Sequence, residues 1–206
     1  MKYLSMIAYV ALFALVAVLP ARADESAKLA ATMEATLDIM YLDDYKDYTS
    51  AQRQDAVREV LESNYDLQII IRRAMARNWN VLTADEQIQV GNLIDQLIVK
   101  TFVEGMEGQN RPIIRCGDVV EVTSKRVEIP VVISFPDSDT FNVLYRFGRL
   151  KAGWQIYDIV AEDISIVSNY RQQFDDHFRK KNGAQLIEKL EKLLKEEKLD
   201  VSTIKL

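Results

Sequence analysis

The stretch that decides the fold is residues 126–147, which read RVEIPVVISFPDSDTFNVLYRF. In residues 127–135, and again in residues 141–147, every odd position is apolar or aromatic. Alternation with a period of two is typical of a strand that buries one face. Residues 136–139 are turn formers, so the stretch predicts a β-hairpin with one apolar face. Pro130 has no backbone N–H and indicates a sheet edge or a bulge.

Two further strands extend this hairpin. After the turn Lys151-Ala152-Gly153, the segment from Trp154 to Val160 has strand character, and an earlier strand is expected within residues 113–123. Four consecutive strands joined by short turns predict an antiparallel four-stranded meander with one apolar face.

Helical periodicity flanks the strands on both sides. Apolar spacings of three and four residues predict helices from Glu25 to about Leu42, then from Thr49 or Ser50, from Asp66 and from Thr83, with two more after residue 165. Thr83 and Glu86 form a capping-box pattern, and Gly105 and Gly108 are expected to end that helix. Helices segregated around one antiparallel sheet define an α+β class.

The N-terminus has the pattern of a secretory signal. Lys2 precedes an apolar run, Pro20 breaks it, and Ala21-Arg22-Ala23 places small residues at a cleavage site. We expect residues 1–23 to be removed and residues 24–206 to form a single exported domain. An uncleaved anchor helix is the alternative, because the apolar run approaches the roughly 17 residues that can span a membrane.

Charge and cysteine content exclude several classes of function. The 206-residue chain has a net charge of −5, which becomes −7 without residues 1–23, since these hold two basic and no acidic residues. This balance argues against nucleic-acid binding and against binding anionic membranes through bulk charge. Cys116 is the only cysteine, so no intramolecular disulfide can form and the core must hold the domain together.

The sequence contains no recognisable catalytic or metal-binding motif. There is no HExxH, nucleophile elbow, phosphate loop or Cys/His cluster with metal spacing. His177 is the only histidine, and its charged neighbours predict a solvated helix face. We therefore expect no catalytic residue, no metal and no cofactor, although a buried carboxylate with a raised pKa stays open.

Residues 145–174 carry the most distinctive motif. It comprises YRF at 145–147, GWQIYDI at 153–159 and ISIVSNYRQQF at 164–174. This motif resembles that of the MlaC family, the periplasmic phospholipid-binding proteins also called toluene-tolerance auxiliary proteins. Residues 66–87 resemble a second family segment through Trp79, Leu82-Thr83 and Gln87. Two departures, the missing glycine before Trp79 and Phe102 in place of a tyrosine, leave open a branch that handles a hopanoid or sterol-like lipid.

The resemblance implies a function and a set of partners. It implies a soluble, monomeric periplasmic carrier that is not an enzyme and that shuttles phospholipid, maintaining the lipid asymmetry of the envelope. Its implied partners are an inner-membrane MCE-protein/ABC-transporter complex and an outer-membrane lipoprotein complex. An apolar pocket between the sheet and the helices would hold the acyl chains, because each buried methylene contributes roughly 0.8 kcal/mol.

The lining of this pocket is predicted from the apolar patterns together with the family resemblance. The strand residues are odd positions of the hairpin, and the helix residues come from two apolar stripes and from the segment 66–87: Val131, Ile133, Phe135, Val143, Tyr145, Phe147, Ile70, Trp79, Leu93, Leu97 and Phe102. Trp154, Tyr157 and Tyr170 are instead expected to fix the last strand against the following helix. Two alternatives remain: an enzyme on a related cone-shaped α+β scaffold with a carboxylate in the pocket, and a periplasmic adaptor without a ligand.

Overall fold

The structure is a computed structural model, which describes residues 20–136 and 140–196. The apolar run of the expected signal peptide, the turn residues 137–139 and the chain after residue 196 lie outside the described residues. Six α-helices occur in the described parts: α1 (Pro20–Tyr41), α2 (Ser50–Asn64), α3 (Leu67–Met75), α4 (Ala84–Met106), α5 (Ile166–Phe178) and α6 (Gly183–Lys195). Short 3-10 helices at Asp43–Tyr45 and Ala76–Val81 follow α1 and α3.

Three of the helices begin where the sequence places their caps. Thr49 caps α2 and Asp66 caps α3, each accepting a backbone N–H in its helix. At α4 the capping box is complete: the Thr83 N–H donates to Glu86 Oε2 over 2.8 Å, and the Glu86 N–H donates to Thr83 Oγ1 over 3.3 Å. Gly105 lies within α4 and does not end it, since the helix continues to Met106.

All strands between α4 and α5 belong to one antiparallel sheet. They are β1 (Ile113–Cys116), β2 (Val120–Thr123), β3 (Arg126–Ser134), β4 (Thr140–Leu150), β5 (Gly153–Ala161) and β6 (Ile164–Ser165). The order is β1-β3-β4-β5-β6, with β2 also paired to β3. The predicted α+β class and antiparallel meander are confirmed. The strand count differs, because the predicted first strand divides into β1 and β2 and the two-residue β6 is added.

Pro130 explains why β1 and β2 are separate. The Gly117 N–H donates to the Pro130 carbonyl over 2.7 Å. In an antiparallel ladder the N–H and the C=O of one residue point to the same neighbouring strand. Because the Pro130 carbonyl points to Gly117, the N–H that proline lacks would have pointed to the same segment, which lies between β1 and β2. Of the two predicted alternatives, the sheet edge is wrong, because β3 is an interior strand. The bulge is present, since residues 117–119 oppose only residues 129–130 between the pairs Cys116–Val131 and Val120–Glu128. The ladder is interrupted on one side only.

Three apolar clusters form the core. The sheet cluster joins Leu29 of α1 and Tyr65 to the apolar residues of β3, β4 and β5. The bundle cluster lies among α3, α4, α5 and α6, and contains Phe174 and Leu186. A third cluster lies among α1, α2 and α4, around Val57 and Val99. Within residues 20–136 and 140–196, no helix is both long and apolar enough to cross a membrane.

Candidate lipid-binding site

The apolar side of the sheet, here called the inner face, carries the odd positions of the hairpin. The register pairs Val131 with Val143 and Val127 with Phe147, so these side chains lie on the same side. Phe135 follows the end of β3, and its ring meets that of Phe141 edge to face at 6.2 Å. The six predicted strand residues therefore share one face.

The inner face is sealed at one end and open at the other. Near the β2–β3 turn Phe147 has no exposed surface, and Val127 and Ile129 are almost fully buried. Toward the β3–β4 turn Ile133, Val143 and Tyr145 are only half-buried, and Phe141 is 41% exposed. We call this second region the open end. Apolar surface that stays accessible there can receive a hydrophobic ligand.

Helix α1, Tyr65 and Ile70 cover the inner face. Leu29 is buried in the sheet cluster and Met33, one turn later, packs against it, as do Tyr65 and Ile70. The Ser26 hydroxyl donates to the Gly117 carbonyl over 2.9 Å and joins α1 to the β1–β2 connection. The sequence analysis did not select Leu29, Met33 or Tyr65. Leu29 and Met33 belong to the apolar stripe that predicts α1, but periodicity does not indicate which surface a stripe contacts.

Four predicted lining residues lie away from the inner face. Trp79, Leu93 and Leu97 belong to the bundle cluster, and Phe102 belongs to the third cluster. The reason is that the apolar stripe of α4 packs against the neighbouring helices. Of the five helix residues that were predicted to line the pocket, Ile70 alone contacts the sheet cluster, and it contacts the bundle cluster as well.

The ionisable groups in the sheet cluster are held neutral. Burial raises the pKa of Tyr145 to about 12, and burial also raises the pKa of Tyr65, with a smaller effect from Glu25. Burial likewise raises the pKa of the Cys116 thiol. Because desolvation disfavours the charged forms, these groups present an uncharged surface at neutral pH.

Two residues with carboxylates, Asp95 and Asp158, are buried, and neither belongs to the sheet cluster. Glu25 of α1 is half-buried, but its Oε2 is buried without a hydrogen-bond partner in the described part of the chain, and burial raises its pKa. Asp158 is 6% exposed and lies on the opposite side of the sheet, the outer face, where Arg146 Nη1 is 3.2 Å from its Oδ2. It also accepts the Ser165 hydroxyl at 2.9 Å and the Val167 N–H at 3.2 Å, which ties β5 to the start of α5. The Asp158 carboxylate therefore stabilises a junction between elements.

The second buried carboxylate, Asp95, is 7% exposed and faces the Nε of Arg58 at 3.3 Å. Burial raises the pKa of Asp95, with Glu62 adding to the shift and Arg58 opposing it. Asp95 is on α4, which does not cover the inner face. Neither Asp95 nor Asp158 is therefore placed to act on a ligand at the inner face.

His177 is not on a solvated helix face, so that prediction is wrong. It is 4% exposed, and its Nε2 lies 3.1 Å from the Asn182 carbonyl oxygen. The turn into α6 covers it, which the charged neighbours on α5 did not reveal. Among the residues the structure describes, no group of three His, Cys, Asp or Glu side chains could hold a metal ion.

A bulge in β5 separates the aromatic residues of the motif. Arg146 pairs with Asp158 but Phe147 pairs with Ile156, so Tyr157 is the extra residue. Trp154 consequently lies in the sheet cluster. The prediction that it fixes β5 against the following helix is therefore wrong.

The other motif residues join helices. Tyr170 packs against the bundle cluster. Arg171 Nη2 donates to the Arg73 carbonyl over 2.8 Å, which connects α5 to α3. These two residues contribute to the scaffold and not to the inner face.

The elements and the apolar inner face define an α+β domain built around a half-open hydrophobic surface. The MlaC protein family model matches residues 30–192, more than half of the chain. The chain belongs to the MlaC family.

One solved structure shows the same fold. It is the phospholipid-binding protein from Ralstonia solanacearum in complex with a phospholipid, with a TM-score of 0.70. The match covers 81% of this chain and 94% of that one, at 17% sequence identity. No curated protein matches the chain.

Proposed function

We propose that this protein is a periplasmic lipid carrier that holds the acyl chains of a phospholipid against the inner face. In this proposal residues 1–23 are removed on export. The carrier exchanges lipid with an inner-membrane MCE/ABC transporter complex and with an outer-membrane lipoprotein complex, and so maintains lipid asymmetry. Family membership and the phospholipid complex of a protein with the same fold support it.

The observation that carries the proposal is the open end of the inner face. Ile133, Val143 and Tyr145 lie in the sheet yet stay half-buried, whereas an ordinary core would bury them. Each acyl methylene removed from water contributes roughly 0.8 kcal/mol, so an uncharged apolar face is sufficient to bind a lipid. The head group can remain in solvent at the open end and needs no specific polar partner.

A carrier agrees better with this site than the two alternatives. An enzyme would need a proton donor or acceptor near the ligand. The buried carboxylates Asp95 and Asp158 are engaged elsewhere by Arg58 and Arg146, so an enzyme would have to rely on Glu25, whose Oε2 is buried without a hydrogen-bond partner in the described part of the chain. An adaptor without a ligand would have no need for an uncharged face that is left partly accessible beneath a helix.

Native mass spectrometry of the exported protein, purified without detergent, tests the proposal. The expected result is a mass excess equal to a phospholipid. An excess equal to a hopanoid would keep the carrier function and correct the cargo. A protein that stays lipid-free, also after incubation with lipid vesicles, would contradict the proposal.

A pair of adjacent variants tests the face itself. Ile133 lies on the inner face and Val132 on the outer face of the same strand, and both are half-buried β-branched residues. Ile133→Asp places a carboxylate against the acyl chains, so we expect the lipid mass to be lost. Val132→Asp is the control and should retain it. Equal lipid content in the two variants would exclude the inner face as the binding surface.

A further inference from the structure

A small groove on the outer face collects basic side chains. It lies beside the β2–β3 turn, at the end of the sheet away from the open end, and has a volume of about 220 Å³. Its lining comprises four basic residues and five others: Arg73, Lys125, Arg126, Arg149, Ile69, Gly148, Leu150, Gln155 and Tyr157. We call it the basic groove.

The charge of the basic groove is opposite to that of the whole chain. None of the nine described residues that line it carries a carboxylate, whereas the chain has a net charge of −5. Four cations in one groove repel each other, and this repulsion is relieved when an anion binds between them.

Aromatic stacking orders two of the guanidinium groups. The Cζ of Arg73 lies 4.7 Å, and that of Arg126 5.9 Å, from the ring centroid of Tyr157. Gly148 lies next to the Tyr157 ring, since a Cβ built on it would stand 3.4 Å from Tyr157 Cδ1, in ordinary van der Waals contact. Stacked guanidinium groups keep their N–H edges available, and that planar fork matches the oxygens of a phosphate.

The other two cations are held on neighbouring chain segments. The Arg149 N–H donates to the Lys125 carbonyl over 2.9 Å, which joins the end of β4 to the β2–β3 turn. The Lys125 side chain is exposed and can adjust to a ligand, whereas the Cζ of Arg149 lies 6.0 Å from the ring centroid of Trp154, a residue of the sheet cluster. The groove thus combines two guanidinium groups stacked on Tyr157 with the adaptable ammonium group of Lys125.

We propose that the basic groove binds a phosphate group, either free phosphate or the phosphodiester of a lipid head group. The site is separate from the inner face, and the proposal does not depend on the carrier function. It assigns to this acidic chain a local surface that attracts anions, although its bulk charge repels them.

Two binding measurements at low ionic strength test the proposal and identify the source of the phosphate. The first follows the arginine side-chain NMR signals during titration with inorganic phosphate. The second measures co-flotation with phosphatidylglycerol-containing vesicles, with pure phosphatidylcholine vesicles as reference. We expect saturable binding in at least one measurement. Phosphate binding alone would identify a soluble anion, and vesicle binding alone a head group.

The variant Lys125→Gln/Arg126→Gln removes two exposed cations of the basic groove. A basic side chain near an anionic surface contributes roughly fivefold to binding, so the double variant should bind about 25-fold more weakly. Lys180→Gln/Lys181→Gln, at the exposed turn between α5 and α6, makes the same change in net charge and should bind like the wild type.

Two outcomes would overturn the proposal: binding of neither phosphate nor anionic vesicles, or equal binding by the double variant and its control. The lipid content of the double variant, measured by native mass spectrometry, should stay unchanged. Failure of the basic groove and failure of the carrier function are therefore distinguishable.

Discussion

His177 is buried where α5 meets α6, with a different environment at each ring nitrogen. The Asn182 carbonyl can only accept, so the nearby Nε2 carries the proton. Nδ1 is buried without a hydrogen-bond partner in the part of the chain that the structure describes. Burial lowers the pKa of His177, and Lys181 and Lys189 lower it further, while the Asn182 carbonyl opposes the shift. A second proton would place an unpaired charge in the core.

This arrangement predicts a pH-dependent stability. Because the pKa of His177 is lower in the folded than in the unfolded chain, the unfolded chain takes up the proton first. Stability is complete above the ordinary histidine pKa of about 6.5 and falls as the pH decreases from there toward the folded pKa. Urea unfolding at neutral and mildly acidic pH measures the loss.

The variant His177→Gln isolates the contribution of this residue. Glutamine can still donate to the Asn182 carbonyl but does not titrate. The free energy of unfolding should therefore depend less on pH in the variant, over the range where histidine titrates and before carboxylates do. Identical pH profiles for the two proteins would show that His177 is not the responsible group.

At the scale of elements, α4 depends on its N-terminal cap. Thr83 and Glu86 satisfy each other's backbone N–H groups at the start of a 23-residue helix. Glu86 also packs closely against the start of α6. The contact is so close that a Cβ on Gly183 would come within 2.6 Å of Glu86 Oε1. The start of α4 is thus a contact between two helices as well as a local structure.

Removing the cap should destabilise the whole domain. Loss of a side-chain N-cap costs about 1 kcal/mol, so Thr83→Ala should lower the free energy of unfolding by about that amount. Thr83→Ser keeps the accepting oxygen and serves as the control. Chemical denaturation of both variants measures the difference, and equal stabilities would show that the cap does not contribute.

At the scale of the whole molecule, the inner face links lipid binding to stability. A ligand that binds only the folded state stabilises it by about 2.7 kcal/mol at a free concentration of one hundred times Kd. For a domain of this size that corresponds to a Tm higher by about 5–10 °C. We therefore expect the lipid-stripped protein to melt earlier than the lipid-loaded protein.

Calorimetry of the same preparation before stripping, after stripping and after reloading from vesicles measures this shift. Reloading should restore the original Tm, which controls for damage during stripping. The Ile133→Asp variant should show no gain on reloading. Equal Tm values for the loaded and stripped wild type would mean that the lipid does not bind within the folded domain.

The sequence by itself determined the class of the fold and most of its local structure. Alternation in residues 126–147 defined a hairpin with one apolar face, because side chains one residue apart point to opposite sides of a strand. The caps Thr49, Asp66 and Thr83 marked the starts of three helices, because their side chains replace missing backbone partners. The motif in residues 145–174 indicated the family.

Only the tertiary structure decided which surfaces meet. Periodicity defines an apolar stripe but not its partner, so Leu29 of α1 covers the inner face while Leu97 of α4 packs in the helical bundle. One extra residue in β5 places Trp154 on the inner face and Tyr157 on the outer face, and no local sequence pattern predicts this bulge. The burial of His177 likewise depends on elements brought together by long-range packing, which the order of residues along the chain does not encode locally.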